Sequence, residues 1–577
     1  MTEDNKESLE LTATLARQLA IPLLGARLLR SIGIEDAREG HDFLFPTLSS
    51  LPSPWLMKGM EEGVELVLAA QAKKTPVIVF GDYDVDGVCS TVLLVSFLKT
   101  MAMEVDWYIP DRLAEGYGLS SIAVEGICAK MKQPGLVITV DNGIAAVDEI
   151  KLLRNKGFSI LITDHHKPGK TIPEANAVIN PHQPGCQFPF ADLAGAGVAF
   201  FLLMALRSAL VEKKKWSRAE APNLKEYLDL VALGTVADSM PLRETNRILA
   251  RAGLEVLYQQ GRMGLRALCK QARIGRPGSF VTAEDISFYL APRINAAGRM
   301  GNADAAMELI QARDETDAMR AATCLEEINT RRKSIQEEMT QEAIAQCEKV
   351  IKQQPAILVL FDKKWHPGVV GIVAAKICEH YQLPTLVLTE DPRQQGQIKG
   401  SGRGTESCDL YEEIHKCSDL LSSFGGHRQA IGLKLPKENL QALIERLNTN
   451  PCRIGNASKI DGLNYRNIEE IEKIDDVLNK DFICFLAAME PFGRDNPEPV
   501  FVCHRVKPLR PALINGKHLR FSLKWSEHRV CDVIAFKQEH NFSLLDDLID
   551  IRFRVRRNTY QGGERVQLVA ERISAAS

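Results

Sequence analysis

Three aspartates stand on alternate positions in the stretch TPVIVFGDYDVDGVCS, residues 75–90: Asp82, Asp84 and Asp86. They follow the apolar run VIVF, which is typical of a buried β-strand. Carboxylates this close together repel one another, and removal from water raises that cost further. An isolated Asp-x-Asp pair is often only a solvated turn. The interpretation therefore depends on what the rest of the chain brings to the same place.

Other apolar runs also end in residues that bind metals. LVITV is followed by Asp141, and LVALGTVA is followed by Asp238. SILIT is followed by Asp164, His165 and His166. The carboxyl ends of parallel strands form one edge of an open sheet, where ligands bind, so we expect these side chains to converge. Asp and His together suit Mn²⁺ or Mg²⁺, and shared carboxylates indicate two ions that promote phosphoester hydrolysis.

A competing interpretation assigns the chemistry to Asp84 alone. The order Asp84-Val85-Asp86-Gly87 after an apolar strand also resembles the signature of haloacid-dehalogenase phosphatases, in which the first aspartate is a nucleophile. That interpretation leaves Asp82, Asp141, His165 and His166 without a role. We rank it second among the enzymatic hypotheses.

The bulk composition is that of an ordinary soluble protein. The chain has 577 residues, enough for three or more domains, and a formal net charge of −3. Its 13 cysteines form no Cys-x-x-Cys pair, which favours reduced thiols in the cytoplasm over a disulfide framework or a zinc site. The polar N-terminus is not a signal peptide. The apolar stretch 193–206 is shorter than the roughly 18–20 residues that span a bilayer, so we expect a core helix.

The hydrophobic pattern predicts an α/β protein of several domains. Apolar runs of strand length alternate with helical periodicity, which is typical of βαβ units and a parallel sheet. Residues 302–354 contain no Gly or Pro and favour long helices. The last part has short strand-like pieces separated by turns, which favours a small antiparallel β-barrel. The expected segments are an N-terminal helical segment (1–55), a parallel-sheet domain (56–300), a connecting helix (301–354), a second α/β domain (355–452) and the barrel (453–577).

The C-terminal part is more basic than the whole chain. Residues 501–577 hold 14 Lys and Arg against 8 Asp and Glu. A solvated β-surface and a nucleic-acid-binding face both remain open. On such a face Phe521, Trp525, Phe553 or Tyr560 could stack on bases, although for Phe521 and Phe553 we favour core positions.

The motifs, in their order, resemble those of the DHH phosphoesterase superfamily, and in particular its branch of exonucleases specific for single-stranded DNA. One departure is that Gln429 and Ile431 interrupt the small residues usual after the last Gly-Gly-His, which removes no ligand. The eight motifs are GDYDVDG (81–87), VDNG (140–143), TDHH (163–166), GTVADSMPL (234–242), APRINAAGRM (291–300), WHPGVVGIVAAKI (365–377), GSGR (400–403) and FGGHRQAIGL (424–433).

The resemblance implies a DHH parallel-sheet domain joined by a long helix to a DHHA1 α/β domain, plus a C-terminal OB-fold β-barrel. It also implies 5′→3′ hydrolysis of single-stranded DNA to mononucleotides with two Mn²⁺ or Mg²⁺ ions, in DNA recombination and repair. The implied partners are a single-strand-binding protein and a helicase such as RecQ, with no membrane. The alternatives are a DHH phosphoesterase for short oligonucleotides or cyclic dinucleotides, against which the additional C-terminal domain argues, and a non-enzymatic scaffold, against which the complete ligand set argues.

The resemblance also assigns roles to individual residues. Asp82 is expected to bind metal or to support a ligand, His166 to contact the scissile phosphate, and Asp164 to orient a histidine. An interdomain salt bridge is a credible alternative role for Arg293. The implied metal ligands are Asp84, Asp86, Asp141, His165 and Asp238. The implied substrate-binding residues are Arg293, Arg299, Ser401, Arg403 and His427.

Overall fold

The computed structural model describes residues 3–116, 118–275, 280–301, 303–449, 468–526, 529–558 and 565–576. These residues form three β-sheets, two of which are flanked by helices. The predicted α/β class is confirmed.

The N-terminal segment is helical, as expected. Its third helix starts at the N-cap Asp36, whose carboxylate accepts hydrogen bonds from the backbone N–H groups of Arg38 and Glu39. The apolar side chains of this segment pack against the C-terminal domain, so the two ends of the chain share one hydrophobic core. The helices are α1 (Glu3–Leu19), α2 (Leu23–Ser31) and α3 (Ala37–Leu44).

The first α/β domain is built on a parallel sheet with the strand order β2-β1-β3-β4-β5. Alternate residues of β1 face different cores: Val77 and Val79 lie in one cluster, and Ile78 and Phe80 lie in another. Burial on both faces explains why its strands are continuous apolar runs. The strands are β1 (Val77–Phe80), β2 (Val105–Tyr108), β3 (Leu136–Val140), β4 (Ser159–Thr163) and β5 (Ala177–Ile179).

The helices of this domain cover both faces of the sheet. The run that ends at Asp238 is the helix α9. The run at 193–206 lies in α8 from Gly195 onward, and α8 is a core helix, as expected. Among the described residues, α8 alone is long and apolar enough to cross a membrane, and 72% of that segment is buried inside the structure. The helices are α4 (Met60–Lys73), α5 (Val85–Thr100), α6 (Ser121–Met131), α7 (Val147–Asn155), α8 (Gly195–Glu212), α9 (Leu228–Ala237), α10 (Glu244–Gln260), α11 (Met263–Ala272), α12 (Ala283–Asp285) and α13 (Ala291–Arg299).

Two helices occupy the segment without Gly or Pro: α14 (Asp304–Gln311) and the 36-residue α15 (Glu315–Val350). The side chain of Asp314 caps α15 by accepting a hydrogen bond from the backbone N–H of Asp317. The helix packs against α11 and α13 of the first domain and against α16 (Val370–Tyr381) of the second. It therefore connects the two α/β domains as one rigid element.

The second α/β domain has a mixed sheet with the order β6-β7-β8-β10-β9. The pair β6–β7 is parallel, and the other pairs are antiparallel. Its strands are β6 (Leu358–Phe361), β7 (Thr385–Glu390), β8 (Gln397–Arg403), β9 (Ser423–His427) and β10 (Ala430–Pro436), and its remaining helices are α17 (Leu410–His415) and α18 (Leu440–Thr449).

The C-terminal domain contains a seven-stranded sheet with the order β11-β12-β16-β17-β15-β14-β13. Most pairs of this sheet are antiparallel, as expected of the barrel, but β11–β12 and β15–β17 pair in parallel. Along the chain β16 lies between β15 and β17, but in the sheet it pairs with the edge of β17 that faces away from β15. The elements are β11 (Ile468–Ile471), α19 (Asp475–Leu478), α20 (Lys480–Met489), β12 (Val500–Val506), β13 (Pro508–Ile514), β14 (His518–Trp525), β15 (Arg529–Ala535), β16 (Ile549–Asn558) and β17 (Arg565–Ala575).

The aromatic residues considered for stacking have different positions. Phe521 and Phe553 lie in the hydrophobic core, as favoured. Trp525 is partly buried, and the guanidinium of Arg529 lies 5.3 Å from the centre of its ring. Tyr560 and the expected boundary at 452–453 lie outside the described residues.

Candidate active site

The three aspartates of the first motif are separated by a sharp change in chain direction. Asp82 follows β1, whereas Asp84 is the N-cap of α5 and accepts a hydrogen bond from the N–H of Gly87 at 3.0 Å. Asp86 lies in the first turn of α5 and is buried. A side chain at Gly87 would place its Cβ 2.5 Å from the carbonyl oxygen of Asp82. The glycine therefore permits the tight turn that brings the carboxylates together.

The N-terminus of α8 supports the carboxylate of Asp86. The two oxygens of Asp86 accept hydrogen bonds from the N–H groups of Gly195 (2.6 Å) and Ala196 (2.9 Å). These donors have no partner inside the helix, and the positive end of the helix dipole favours an anion there. A Cβ on Gly195 would lie 2.7 Å from the Cβ of Asp141, so α8 approaches the site as closely as a glycine allows. The sequence of this helix predicts only a core position and does not indicate its contact with the site.

His165 faces carboxylates from three different elements. Its Nε2 lies 3.0 Å from Asp141 Oδ1, and Asp141 follows β3 with a left-handed backbone (φ 59°). The same nitrogen lies 3.7 Å from Asp238 Oδ2 and 3.9 Å from Asp86 Oδ2. Asp238 is the C-cap of α9, where the helix dipole disfavours a negative charge. The strand-end residues and the helix-end residue thus converge, as the sequence predicts.

Asp164 organises the two histidines. Its Oδ1 accepts hydrogen bonds from the N–H groups of His165 (2.7 Å) and His166 (3.0 Å) and lies 2.8 Å from His166 Nδ1, while its Oδ2 accepts one from the N–H of Ile144. Burial alone would lower the pKa of His166, but the hydrogen bond with Asp164 and the nearby carboxylates raise it to about 9. His166 is therefore a half-exposed cation at neutral pH, held in one orientation by a carboxylate.

The site carries unbalanced negative charge. Burial, and then the charges of neighbouring carboxylates, raise the pKa values of Asp82, Asp86 and Asp141 well above their ordinary range. Burial and the charge of Asp84 raise the pKa of Asp238 to about 7. Burial and the nearby His166 lower the pKa of His165 to about 4, so its imidazole is neutral and can act as a ligand.

Two observations fit a pair of divalent cations. Asp82 Oδ1 and Asp141 Oδ1 are buried and accept no hydrogen bond, which leaves both oxygens available as ligands. Oxygen atoms with one neutral imidazole suit Mn²⁺ or Mg²⁺. Asp141 and His165 each belong to two of the groups. The two carboxylate oxygens of Asp141 could bind neighbouring ions, whereas the His165 nitrogen can bind only one ion. The groups whose ligand atoms lie within 4.8 Å of one another are Asp141–His165–His166, Asp86–His165–Asp238 and Asp82–Asp84–Asp141.

Ser401 and Arg403 lie on the same face of β8. The register places Gly432 opposite Ser401, Ala430 opposite Arg403, and His427 of the edge strand β9 opposite Ala430. These small neighbours leave the face open. A Cβ at Gly371, in the first turn of α16, would lie 3.3 Å from Ser401 Oγ and 3.7 Å from Arg403 Nη2. A helix N-terminus and an arginine therefore meet at Ser401, an arrangement that suits a phosphate group.

Guanidinium groups from both α/β domains lie close together. Arg299, at the end of α13, donates a hydrogen bond to the carbonyl of Gly368 at 3.4 Å. Burial, and then the charges of Arg112, Arg332 and Arg403, lower the pKa of Arg299 to about 10. Like charges held this close favour the binding of an anion between them.

Arg112 is a candidate that the sequence analysis missed. It follows β2, and its guanidinium lies 5.0 Å from the ring centre of Tyr83, which belongs to the first motif. One feature of the sequence could have identified it: Arg112 directly follows WYIPD, where another strand ends at the same edge of the sheet.

The remaining two predicted substrate residues lie elsewhere. Arg293 is buried, forms an ion pair with Glu326 of α15, and donates a hydrogen bond to the carbonyl of Tyr289 at 2.7 Å. These contacts favour the alternative role as a structural ion pair. His427 is exposed at the edge of the sheet.

Comparison with known proteins identifies all three domains. The chain matches the DHH family, N-terminal domain, over residues 76–235, the DHHA1 domain over 354–450 and the RecJ OB domain over 470–572. These matches confirm the predicted fold class.

Relatives that match most of this chain carry the name single-stranded-DNA-specific exonuclease RecJ. The protein from Bacillus subtilis is 36% identical over 91% of this chain, which spans 64% of that relative. The protein from Haemophilus influenzae is 34% identical, with 96% of each chain covered. The crystal structure of RecJ with Mn²⁺ from Thermus thermophilus matches 99% of this chain and 78% of its own, at 28% identity and a TM-score of 0.77. The chain therefore belongs to the RecJ family.

Proposed function

We propose that this protein is a 5′→3′ exonuclease that hydrolyses single-stranded DNA to mononucleotides with two Mn²⁺ or Mg²⁺ ions. The observation that carries the proposal is that two clusters of opposite charge lie side by side. A cluster of unbalanced carboxylates with a neutral histidine lies beside a cluster of arginines contributed by both domains. A phosphodiester strand is a ligand that satisfies both clusters at once.

The proposed metal ligands are Asp84, Asp86, Asp141, His165 and Asp238, with Asp82 beside them. Bound there, the two cations would activate a water molecule and neutralise charge on the phosphate. The N–H groups of α8 hold Asp86 in place, so its oxygens do not rotate away. His166, kept as a cation by Asp164, donates to the scissile phosphate and stabilises the charge that develops in the transition state.

The arginine cluster supplies the polarity of the reaction. Arg112, Arg299 and Arg403, with the hydroxyl of Ser401, bind the terminal 5′ phosphate, because guanidinium groups form paired hydrogen bonds to phosphate oxygens. A terminal phosphate carries more negative charge than an internal one, so the cluster selects a chain end. The first phosphodiester of the strand then lies at the carboxylates.

The test uses one oligonucleotide as a single strand and as a blunt duplex, labelled at either end, with Mn²⁺ or Mg²⁺. We expect the 5′ label to be released early as a mononucleotide, only from the single strand. A 3′-labelled strand should shorten progressively. Release of the 3′ label first, or equal cleavage of the duplex, would contradict the proposal. Hydrolysis of dinucleotides without polymer degradation would instead support a phosphoesterase for short substrates.

The proposal extends to partners and location. An enzyme that needs a free single strand requires a helicase, such as one of the RecQ type, to produce it, and acts on strands coated by a single-strand-binding protein. A cytoplasmic location fits the cysteines, since twelve of them are free thiols in the described residues. Co-purification with either partner would support the assignment. Its loss when surface residues of the C-terminal domain are substituted would locate the contact on that domain.

A further inference from the structure

One arginine of the second domain reaches across to the first domain beside Arg112. Arg393 lies in the turn between β7 and β8, and its Nη1 donates a hydrogen bond to the carbonyl oxygen of Ala114 at 3.2 Å. Ala114 is two residues from Arg112, in the loop that follows β2. None of the eight motifs contains Arg393.

The loop that carries Arg112 has a fixed shape. Asp111 Oδ1 accepts hydrogen bonds from the N–H groups of Leu113 (2.7 Å) and Ala114 (3.1 Å). Glu115 Oε1 accepts one from the N–H of Asp111 (2.8 Å), and Glu115 Oε2 accepts one from the hydroxyl of Tyr108 on β2 (3.0 Å). Because the loop is bonded to itself, a contact at Ala114 constrains the backbone of Arg112 as well.

Arg393 is itself held by a buried carboxylate. Asp391 Oδ1 accepts a hydrogen bond from the N–H of Arg393 at 3.1 Å and lies 3.5 Å from its Nε. Lys399 Nζ lies 3.7 Å from Asp391 Oδ1, and Lys434 Nζ lies 3.3 Å from Oδ2. Lys399 stands two residues before Ser401 on β8, on the same face. A continuous set of polar contacts thus runs from the strand of Ser401 to the loop of Arg112.

We propose that Arg393 is a positioning residue that holds Arg112 in place for the terminal 5′ phosphate. This inference rests on the proposed function, in which Arg112 and Arg403 bind that phosphate from opposite domains. Arg393 lies in the turn that joins β7 to β8, and Arg403 lies at the other end of this hairpin. The contact with Ala114 therefore holds the hairpin that carries Arg403 against the loop that carries Arg112. The preference for a 5′-phosphorylated end then depends on the arrangement of the two domains.

The test measures binding in EDTA, without cleavage, by fluorescence anisotropy of a 3′-labelled single strand that carries either a 5′ phosphate or a 5′ hydroxyl. We expect Arg393→Ala to weaken binding of the phosphorylated strand about ten-fold, the effect of one charge-assisted hydrogen bond. Binding of the hydroxyl strand should change by less than about two-fold. Arg393→Lys, which keeps a donor, should recover part of the loss.

A double substitution tests whether Arg393 acts through Arg112. Arg112→Ala with Arg393→Ala should bind the phosphorylated strand no more weakly than Arg112→Ala alone, because coupled residues are not additive. Arg446→Ala is the matched control, since it removes an exposed arginine of the same domain that pairs with Asp419. It should leave both affinities unchanged.

The outcomes separate this inference from the proposed function. Additive losses, equal losses on both strands, or wild-type behaviour of Arg393→Ala would overturn the positioning role while leaving the exonuclease intact. A wild-type protein that prefers the phosphorylated strand but cleaves nothing with Mn²⁺ would overturn the exonuclease and leave the positioning role. A wild-type protein without that preference would overturn both the 5′-phosphate site and the role of Arg393.

Discussion

At the scale of single residues, the site combines buried carboxyl groups whose ionised forms are costly without a cation. Asp82, Asp86 and Asp141 are all buried, and both burial and neighbouring carboxylates raise the cost of ionising each of them. Only part of this charge is met inside the protein, by the helix N-terminus at Asp86. Metal binding should therefore affect both catalysis and stability.

Asp238→Ala separates catalysis from folding. Asp238 is 35% exposed, so its removal leaves no cavity in the core. Loss of residues that only support metal ligands costs about 10–100-fold, so loss of a ligand should reduce kcat at least about 100-fold, with strand affinity retained. End-labelled cleavage and anisotropy measure the two quantities. Asp148→Ala, which removes an exposed aspartate of α7, should cleave like the wild type; survival of activity in Asp238→Ala would refute the ligand assignment.

Asp141→Asn should alter the response of the protein to metal. For the wild type, Mn²⁺ at 100 times its Kd should stabilise the first domain by about 2.7 kcal/mol, which thermal unfolding reports as a higher Tm. The variant removes a buried charge that accepts no hydrogen bond through Oδ1, so its metal-free form should melt above the metal-free wild type. Its shift with Mn²⁺ should be largely lost. An unchanged shift would place the ions elsewhere.

The sequence predicts which residues lie together at this site better than it predicts the contacts that hold them there. The proximity of Asp141 and His165 could be predicted from the sequence, because both follow parallel strands. Asp86 is different: its support by α8 depends on a tertiary contact between residues 109 positions apart. Arg112 was missed because its strand, VDWY, alternates polar and apolar residues and has no strong apolar run.

At the scale of elements, the N-terminal turn of α8 packs directly against the carboxylates of the site. Gly195→Ala would place a Cβ within 2.7–2.9 Å of three atoms of Asp141, closer than real contacts allow. We expect this substitution to displace Asp141 and to lower kcat and Mn²⁺ affinity by about 10–100-fold. Cleavage rates across a Mn²⁺ titration measure both effects.

The same helix provides the control for that prediction. A Cβ at Gly197 would meet only Leu193, at 3.5 Å, an ordinary contact. Gly197→Ala should keep full activity and gain up to about 1 kcal/mol of stability from the higher helix propensity of alanine. Equal effects of the two substitutions would show that helix packing, and not the approach to Asp141, limits activity.

Elements with a clear hydrophobic pattern could be predicted from the sequence. Elements whose structure depends on contacts with distant parts of the chain could not. The strands β1, β3 and β4 are short apolar runs that two layers of helices bury. The run before Asp238 has the same composition but forms α9, because periodicity does not distinguish a fully buried helix from a buried strand. The parallel pair β15–β17 depends on the path of β16, which no local pattern records.

At the scale of the whole molecule, the two ends of the chain are folded together. Leu28 and Leu29 of α2 lie in one core with Phe482 and Phe485 of α20. Arg247 of α10, which is fully buried, donates hydrogen bonds to the carbonyls of Phe43 (2.7 Å), Ala488 (2.9 Å) and Glu490 (3.0 Å). Sequence analysis could not anticipate this arrangement, since nothing local marks contacts over 200 residues or more.

Arg247→Ala should release both ends from the first domain. The substitution removes one hydrogen bond from each of three carbonyl groups, although that of Ala488 keeps a hydrogen bond from Arg251, and the expected cost is about 2 kcal/mol or more. We expect the C-terminal domain to unfold at a lower urea concentration and to become sensitive to protease. Arg320→Ala, which removes a 75% exposed arginine of α15, should change stability by less than about 0.5 kcal/mol. Equal midpoints for the two variants would contradict the bridging role of Arg247.

The central claim is that two ions share one site at the carboxyl ends of β1, β3 and β4. Crystals grown with Mn²⁺ and measured at the manganese absorption edge test it directly. We predict two anomalous peaks about 3.5–4 Å apart, with Asp141 contacting both and His165 contacting one. A single peak, or peaks that lie away from Asp141, would contradict the two-ion site and the mechanism that depends on it.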